Sequence, residues 1–95
     1  MLTSKQRASL RGMANGMESI LQIGKSGVTD NTITQAREAL MARELIKGGV
    51  LETCPQTARE AAQELADRLS AEIIQVIGMK FVLYKRNHKE PKIQV

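Results

Sequence analysis

Apolar positions along the chain switch between helical and extended spacings. Ala8, Leu10, Met13 and Ala14 can form the inner side of a short helix. Thr3-Ser4-Lys5-Gln6 ahead of them reads as a capping box, a hydroxyl followed three residues on by Gln. Gly12 weakens this helix, and Asn15-Gly16 stops it. Ile20-Leu21-Gln22-Ile23 is a short apolar run closed by glycine, which predicts a strand. Thr29-Asp30 offers an N-cap to a second helix, whose apolar positions Ile33, Ala36 and Leu40 recur at three and four and which should run to about Arg43. Leu45-Ile46 through Val50-Leu51 reads as a strand interrupted by Gly48-Gly49, where a bulge or bend is expected. Cys54-Pro55 is expected to start the third helix, with proline near its first position. Ala58, Ala61, Ala62, Leu65, Ala66 and Leu69 form the clearest amphipathic stripe in the chain. Two strands close the pattern, Ile73–Ile77 and Lys80–Tyr84, around Gly78-Met79. Glycine first in a two-residue loop suits a type II′ hairpin.

The order is therefore α-β-α-β-α-β-β. Strands joined through helices pair in parallel by right-handed crossovers, and the last pair is antiparallel. This is an α/β chain with a mixed four-stranded sheet and helices packed on it. The 95 residues suffice for one domain and not two, and 42% are hydrophobic, enough for a modest core. Residues 1–86 are expected to form that domain. Residues 87–95, with Pro91 and many charges, are expected to be a loose tail. One cysteine excludes a disulfide scaffold and a Cys-based zinc site. No apolar run approaches a membrane span, and the first residues do not read as a secretory signal. A cytoplasmic monomer with no cofactor, no membrane partner and no small-molecule substrate is the expectation.

Net charge is +4, unevenly placed. Lys5, Arg7, Arg11 and Lys25 dominate the first part of the chain, and Lys80, Lys85, Arg86, Lys89 and Lys92 the last. Between them Glu52, Glu60, Glu64, Asp67 and Glu72 outweigh Arg59 and Arg68. If the two basic ends meet in the fold, one face is basic and suits an anionic partner. The acidic outer side of the third helix is then expected to point away from it. That side could alternatively meet a protein partner.

Gly24-Lys25-Ser26-Gly27 carries the chemistry. It is a GxxG loop between a strand and a helix. Glycines permit positive φ and close approach of a second backbone. Free N–H groups and the dipole of the following helix favour an anion, Lys25 adds a full charge, and Ser26 adds a hydroxyl. KH domains clamp about four nucleotides with such a loop. The spacing is not that of a Walker loop or a dinucleotide fingerprint. Phe81 and Tyr84 are the only aromatic residues, so base stacking on an aromatic sheet is not expected. Phe81 reads as core. His88, Cys54 and the carboxylates of the third helix show no ligand set or acid–base pair, so no enzyme activity is expected.

Together these features resemble the CRM domain (chloroplast RNA splicing and ribosome maturation), in particular its free-standing bacterial YhbY-type members. The match rests on Leu2-Thr3-Ser4-Lys5-Gln6-Arg7, Ile23-Gly24-Lys25-Ser26-Gly27-Val28-Thr29, Glu38-Ala39-Leu40, Glu44-Leu45-Ile46-Lys47, Gln75-Val76-Ile77-Gly78 and Val82-Leu83-Tyr84-Lys85. The resemblance implies an RNA-binding domain laid out like the C-terminal domain of translation initiation factor three. It implies ribosomal RNA or a large-subunit precursor as partner, with a role in large-subunit assembly. Gly24, Lys25, Ser26 and Gly27 are then the binding loop, with Lys5, Arg7 and Arg11 beside it and Lys80, Lys85 and Arg86 as further contacts. Gly48-Gly49 and Asn15-Gly16-Met17-Glu18 depart from the family pattern.

Overall fold

A computed structural model describes residues 2–93. α1 (Ser4–Ala14) begins at Thr3, whose hydroxyl accepts from the Gln6 amide while the Gln6 side chain accepts from the Thr3 amide. The capping box read from the sequence is thus formed. α2 (Asp30–Arg43) is capped in the same way by Thr29 and Thr32. α3 (Ala58–Leu69) does not begin at Cys54-Pro55. Its N-cap is Thr57, paired reciprocally with Glu60. Thr57-x-x-Glu60 supplies what the orphan amides of a first turn need. Proline supplies only a compatible φ.

The strands are β1 (Leu21–Ile23), β2 (Leu45–Val50), β3 (Glu72–Ile77) and β4 (Lys80–Tyr84), in the sheet order β1-β2-β4-β3. β1 and β2 are parallel, and β2–β4 and β4–β3 are antiparallel. φ is positive at Gly78 and not at Met79, as a type II′ connection requires.

β2 runs unbroken through Gly48-Gly49, and this corrects the expected interruption. The register shift of the sheet falls instead in β3, between Ile73 and Gln75. Both glycines make room for the neighbouring strand. A Cβ on Gly48 would lie 2.9 Å from the Phe81 ring and 3.1 Å from the Leu21 carbonyl oxygen. One on Gly49 would lie 2.9 Å from Lys80 Cδ.

Successive strand residues face opposite sides of the sheet, and each side has its own core. On one side α2 and α3 bury Ile33, Ala36, Leu40, Ala61, Ala62 and Leu65 against Leu21, Ile23, Ile46, Phe81 and Leu83. On the other, α1 buries Leu10 and Ala14 against Leu45, Ile74, Val82 and Tyr84.

The tail is not loose through residue 93. Glu44, at the end of α2, is fully buried with φ +64. Its carboxylate accepts from the amides of Asn87 (2.5 Å), Lys92 (2.6 Å) and Ile93 (2.7 Å). A buried carboxylate must be hydrogen-bonded, and the tail backbone meets that need. Ile93 and Leu2 both pack against the α1-side core, and Leu2 shares a cleft with Lys85 and Arg86, so the first and last described segments lie on the same part of the molecule. Burial alone would push the Glu44 carboxyl up, but the three amides, with Arg86 nearby, hold it below its ordinary value of 4.5. Burial, and then the charge of Glu44, push the neighbouring Tyr84 phenol up. Among the described residues no helix is long and apolar enough to cross a membrane.

Candidate nucleic-acid interface

Gly24 to Gly27 form a tight turn directly after β1, closed by the Gly27 amide donating to the Gly24 carbonyl at 3.0 Å. Lys25 and Ser26 stand exposed at its tip, and Gly27 is buried at its base. Lys25 makes no ion pair with the described residues.

The two glycines serve different ends. Gly27 has φ +68, and a Cβ there would lie 2.8 Å from Gln56 Oε1. That oxygen accepts from the Val28 amide at 2.8 Å, while Gln56 Nε2 donates to Glu64 at 2.9 Å. Gln56 is therefore a buttress between the loop and α3, and it requires glycine at position 27. Gln56 gave no signal in the sequence, because its partners are distant along the chain. Gly24 differs: its φ is not positive, and a Cβ would meet only Leu51 Cδ1 at an ordinary 3.7 Å. The fold itself does not use the space that Gly24 leaves open.

The loop leads into the start of α2, where Thr29 and Thr32 already satisfy part of the first turn. Asp30 stands there fully exposed, 3.8 Å from Arg68. An exposed pair of this kind contributes little, and the Asp30 charge offsets part of the helix-dipole attraction for an anion.

The structure divides the other predicted contacts between two ends of the sheet. The Leu51 amide donates to the Ile23 carbonyl, and the Val50 amide to that of Met79. The ends of β1 and β2 and the β3–β4 hairpin therefore lie together. Lys80 is thus at the loop end. It belongs to a cross-strand row, Gln22–Gly49–Lys80–Ile77, in which every residue except Gly49 is exposed. Its Nζ lies within 3.3 Å of where a Gly49 Cβ would be, so its side chain lies across β2. Arg11 is exposed in the last turn of α1. The helix then ends at Ala14 and Asn15, which share a groove with Lys47 and Lys80.

Lys85 and Arg86 follow the other end of β4, about 17 Å away at the usual strand rise. Lys5 belongs with them, since its neighbours Leu2 and Gln6 line a cleft with Tyr84, Lys85 and Arg86. The ends of the chain make a basic region, and Lys25 lies apart from it. Two of the predicted contacts are engaged inside the protein. Arg7 pairs with Glu72 at 3.4 Å and donates to the Ile73 carbonyl, fastening α1 to β3. The Lys85 ammonium donates to the Leu69 carbonyl at 2.7 Å, at the C-terminus of α3.

Comparison with known proteins agrees with this architecture. The chain is 42% identical over 95 residues to "Probable RNA-binding protein YqeI" of Bacillus subtilis (strain 168), covering all of this chain and 99% of that protein. It is 31% identical over 94 residues to an "RNA-binding protein" of Haemophilus influenzae, covering 99% of this chain and 94% of that one. The solution structure of the Staphylococcus aureus protein SAV1595, described as a candidate RNA-binding protein, superposes with a TM-score of 0.77 at 38% identity. That match covers 99% of this chain and all of the other. The family model of the CRS1/YhbY (CRM) domain matches residues 2–85, and the chain belongs to that family.

Proposed function

We propose that this protein binds structured RNA through the phosphate backbone, with the Gly24–Gly27 turn as the primary contact. The observation that carries this reading is Gly24, whose missing side chain satisfies no demand of the fold. It stands beside an exposed Lys25, which makes no ion pair among the described residues, and an exposed Ser26. A glycine unused by the fold leaves space for a second backbone, and the charge beside it selects an anionic one. The relatives, named as RNA-binding proteins, support RNA as that anion. Arg11 and Lys80 extend the contact along the loop end, and Lys5 and Arg86 at the other end form a second contact, with Lys85 held between them by the Leu69 carbonyl. With few aromatic residues, readout is of backbone and shape, with weak sequence preference.

The partner we infer is ribosomal RNA in a large-subunit precursor, with the protein acting as an accessory assembly factor. Co-migration with such precursors on a sucrose gradient tests that step. Its absence, with RNA binding intact, overturns the ribosomal assignment alone. Affinity for RNA should fall steeply with salt. With roughly four to six phosphate contacts, raising salt from 50 to 200 mM should cost about two to three decades. A gel-shift series on ribosomal RNA fragments, run beside duplex DNA, reads this directly. A flat response contradicts the mechanism.

The outer side of α3 does not favour the protein-partner reading. Two of its carboxylates already accept from side-chain amides, Asp67 from Gln63 and Glu64 from Gln56, and Arg68 lies 3.8 Å from Asp30.

A further inference from the structure

We propose that a cleft between α2 and the segment after β4 is a nucleotide site, separate from the GxxG turn. The cleft encloses about 340 Å³, within the range of small-ligand sites. Arg37, Arg86, His88 and Lys89 stand around it, and Leu40, Met41 and Leu69 form an apolar floor. No acidic side chain lines it. The carboxylates nearest in sequence, Glu38 and Glu90, adjoin Arg37 and Lys89 but do not line the cleft, and Glu90 pairs with Lys92 at 3.3 Å; Glu44 is buried and covered by three tail amides.

The walls are held in place. The Asn87 side chain donates to the Met41 carbonyl at 3.1 Å and accepts from the amides of Lys89 and Glu90, each at 3.1 Å. The segment that carries His88 and Lys89 is thereby fixed to the end of α2. A nucleotide fits this combination better than a bare phosphate does. Phosphate oxygens take the cations, Arg bidentately and Lys as a point charge. The base takes the apolar floor, where exposed Met41 offers a polarizable thioether to an aromatic ring. A phosphate alone would leave that floor wet.

The choice of a nucleotide over another amphiphilic anion rests on the RNA-binding reading. The nucleotide has two sources, one unit of a bound RNA strand or a free mononucleotide.

Amide chemical shifts of the full chain, titrated in parallel with an eight-residue oligouridylate and with uridine monophosphate, test the proposal. The expected result is that the oligonucleotide moves the signals of Met41 and of 87–89 as well as those of the Gly24–Gly27 turn. Movement of Met41 and 87–89 by the monophosphate alone supports the site with a free nucleotide as its ligand. Oligonucleotide shifts confined to the turn, with none from the monophosphate, overturn the cleft and leave RNA binding standing. No shift with either ligand overturns the cleft, and the gel shift on ribosomal RNA fragments then decides RNA binding by itself. In Arg37→Glu/Lys89→Glu the cleft shifts should vanish while those of the turn persist. Arg37→Gln/Lys89→Gln, with a gentler change of charge, should show the same pattern. Persistence of the cleft shifts in both variants overturns the assignment.

Discussion

Single residues separate what holds this fold from what it offers to a partner. Gly27 and Gly24 sit three apart in one turn, yet only Gly27 has a positive φ and a crowded Cβ position. Gly27→Ala should cost about 1–3 kcal/mol through strain and the displaced Gln56. Gly24→Ala should stay within about 1 kcal/mol of the parent and should weaken RNA binding. Urea denaturation and a binding titration on both variants check this, and equal destabilisation would contradict it. Glu44 is the opposite case, a charge turned wholly inward. Its folded pKa lies below the ordinary 4.5. Its contribution is therefore complete above about pH 4.5 and is lost as pH falls through the lower folded value. Glu44→Gln cannot satisfy three amide donors and should cost about 2–4 kcal/mol at pH 7. The gap to the parent should narrow below about pH 4.5, and a gap constant down to pH 3 would count against the assignment.

At the scale of elements, α1 illustrates how a basic residue can mislead. Arg7 reads as an outward cation in the sequence, but its guanidinium ties α1 to β3 through Glu72 and the Ile73 carbonyl. Arg7→Ala should lower stability by about 1–2 kcal/mol, measured as a shift of the urea midpoint with the slope unchanged. An unshifted midpoint would mean that the tie contributes nothing. The other elements were legible where the signal is local. Thr3-x-x-Gln6 and the spacing of Ile33, Ala36 and Leu40 placed α1 and α2, and Gly78-Met79 placed the hairpin. Where partners are distant the sequence misleads. Gly48-Gly49 resembles a break because the Phe81 ring and Lys80 stem that use its space belong to another strand. The start of α3 was readable from Thr57 and Glu60, and the more conspicuous Cys54-Pro55 obscured it.

Over the whole molecule, the distribution of charge was only half visible in the sequence. The start of α1 and the segment after β4 lie together, with Leu2 and Ile93 on one core and Leu2 and Gln6 in a cleft with Lys85 and Arg86. The parallel β1–β2 pairing, however, carries the GxxG turn to the far end of the sheet. The result is an exposed turn at one end, whose Lys25 makes no ion pair among the described residues, and a basic region at the other end of a molecule 36 Å long. In the proposed mechanism the charge of Lys25, beside the open backbone at Gly24, supplies the RNA contact and has no part in holding the fold. Lys25→Glu, titrated against a ribosomal RNA fragment by fluorescence anisotropy at 100 mM salt, tests it most directly. Binding should weaken at least about tenfold with an unchanged thermal midpoint. Unaltered affinity in a folded Lys25→Glu protein would contradict it.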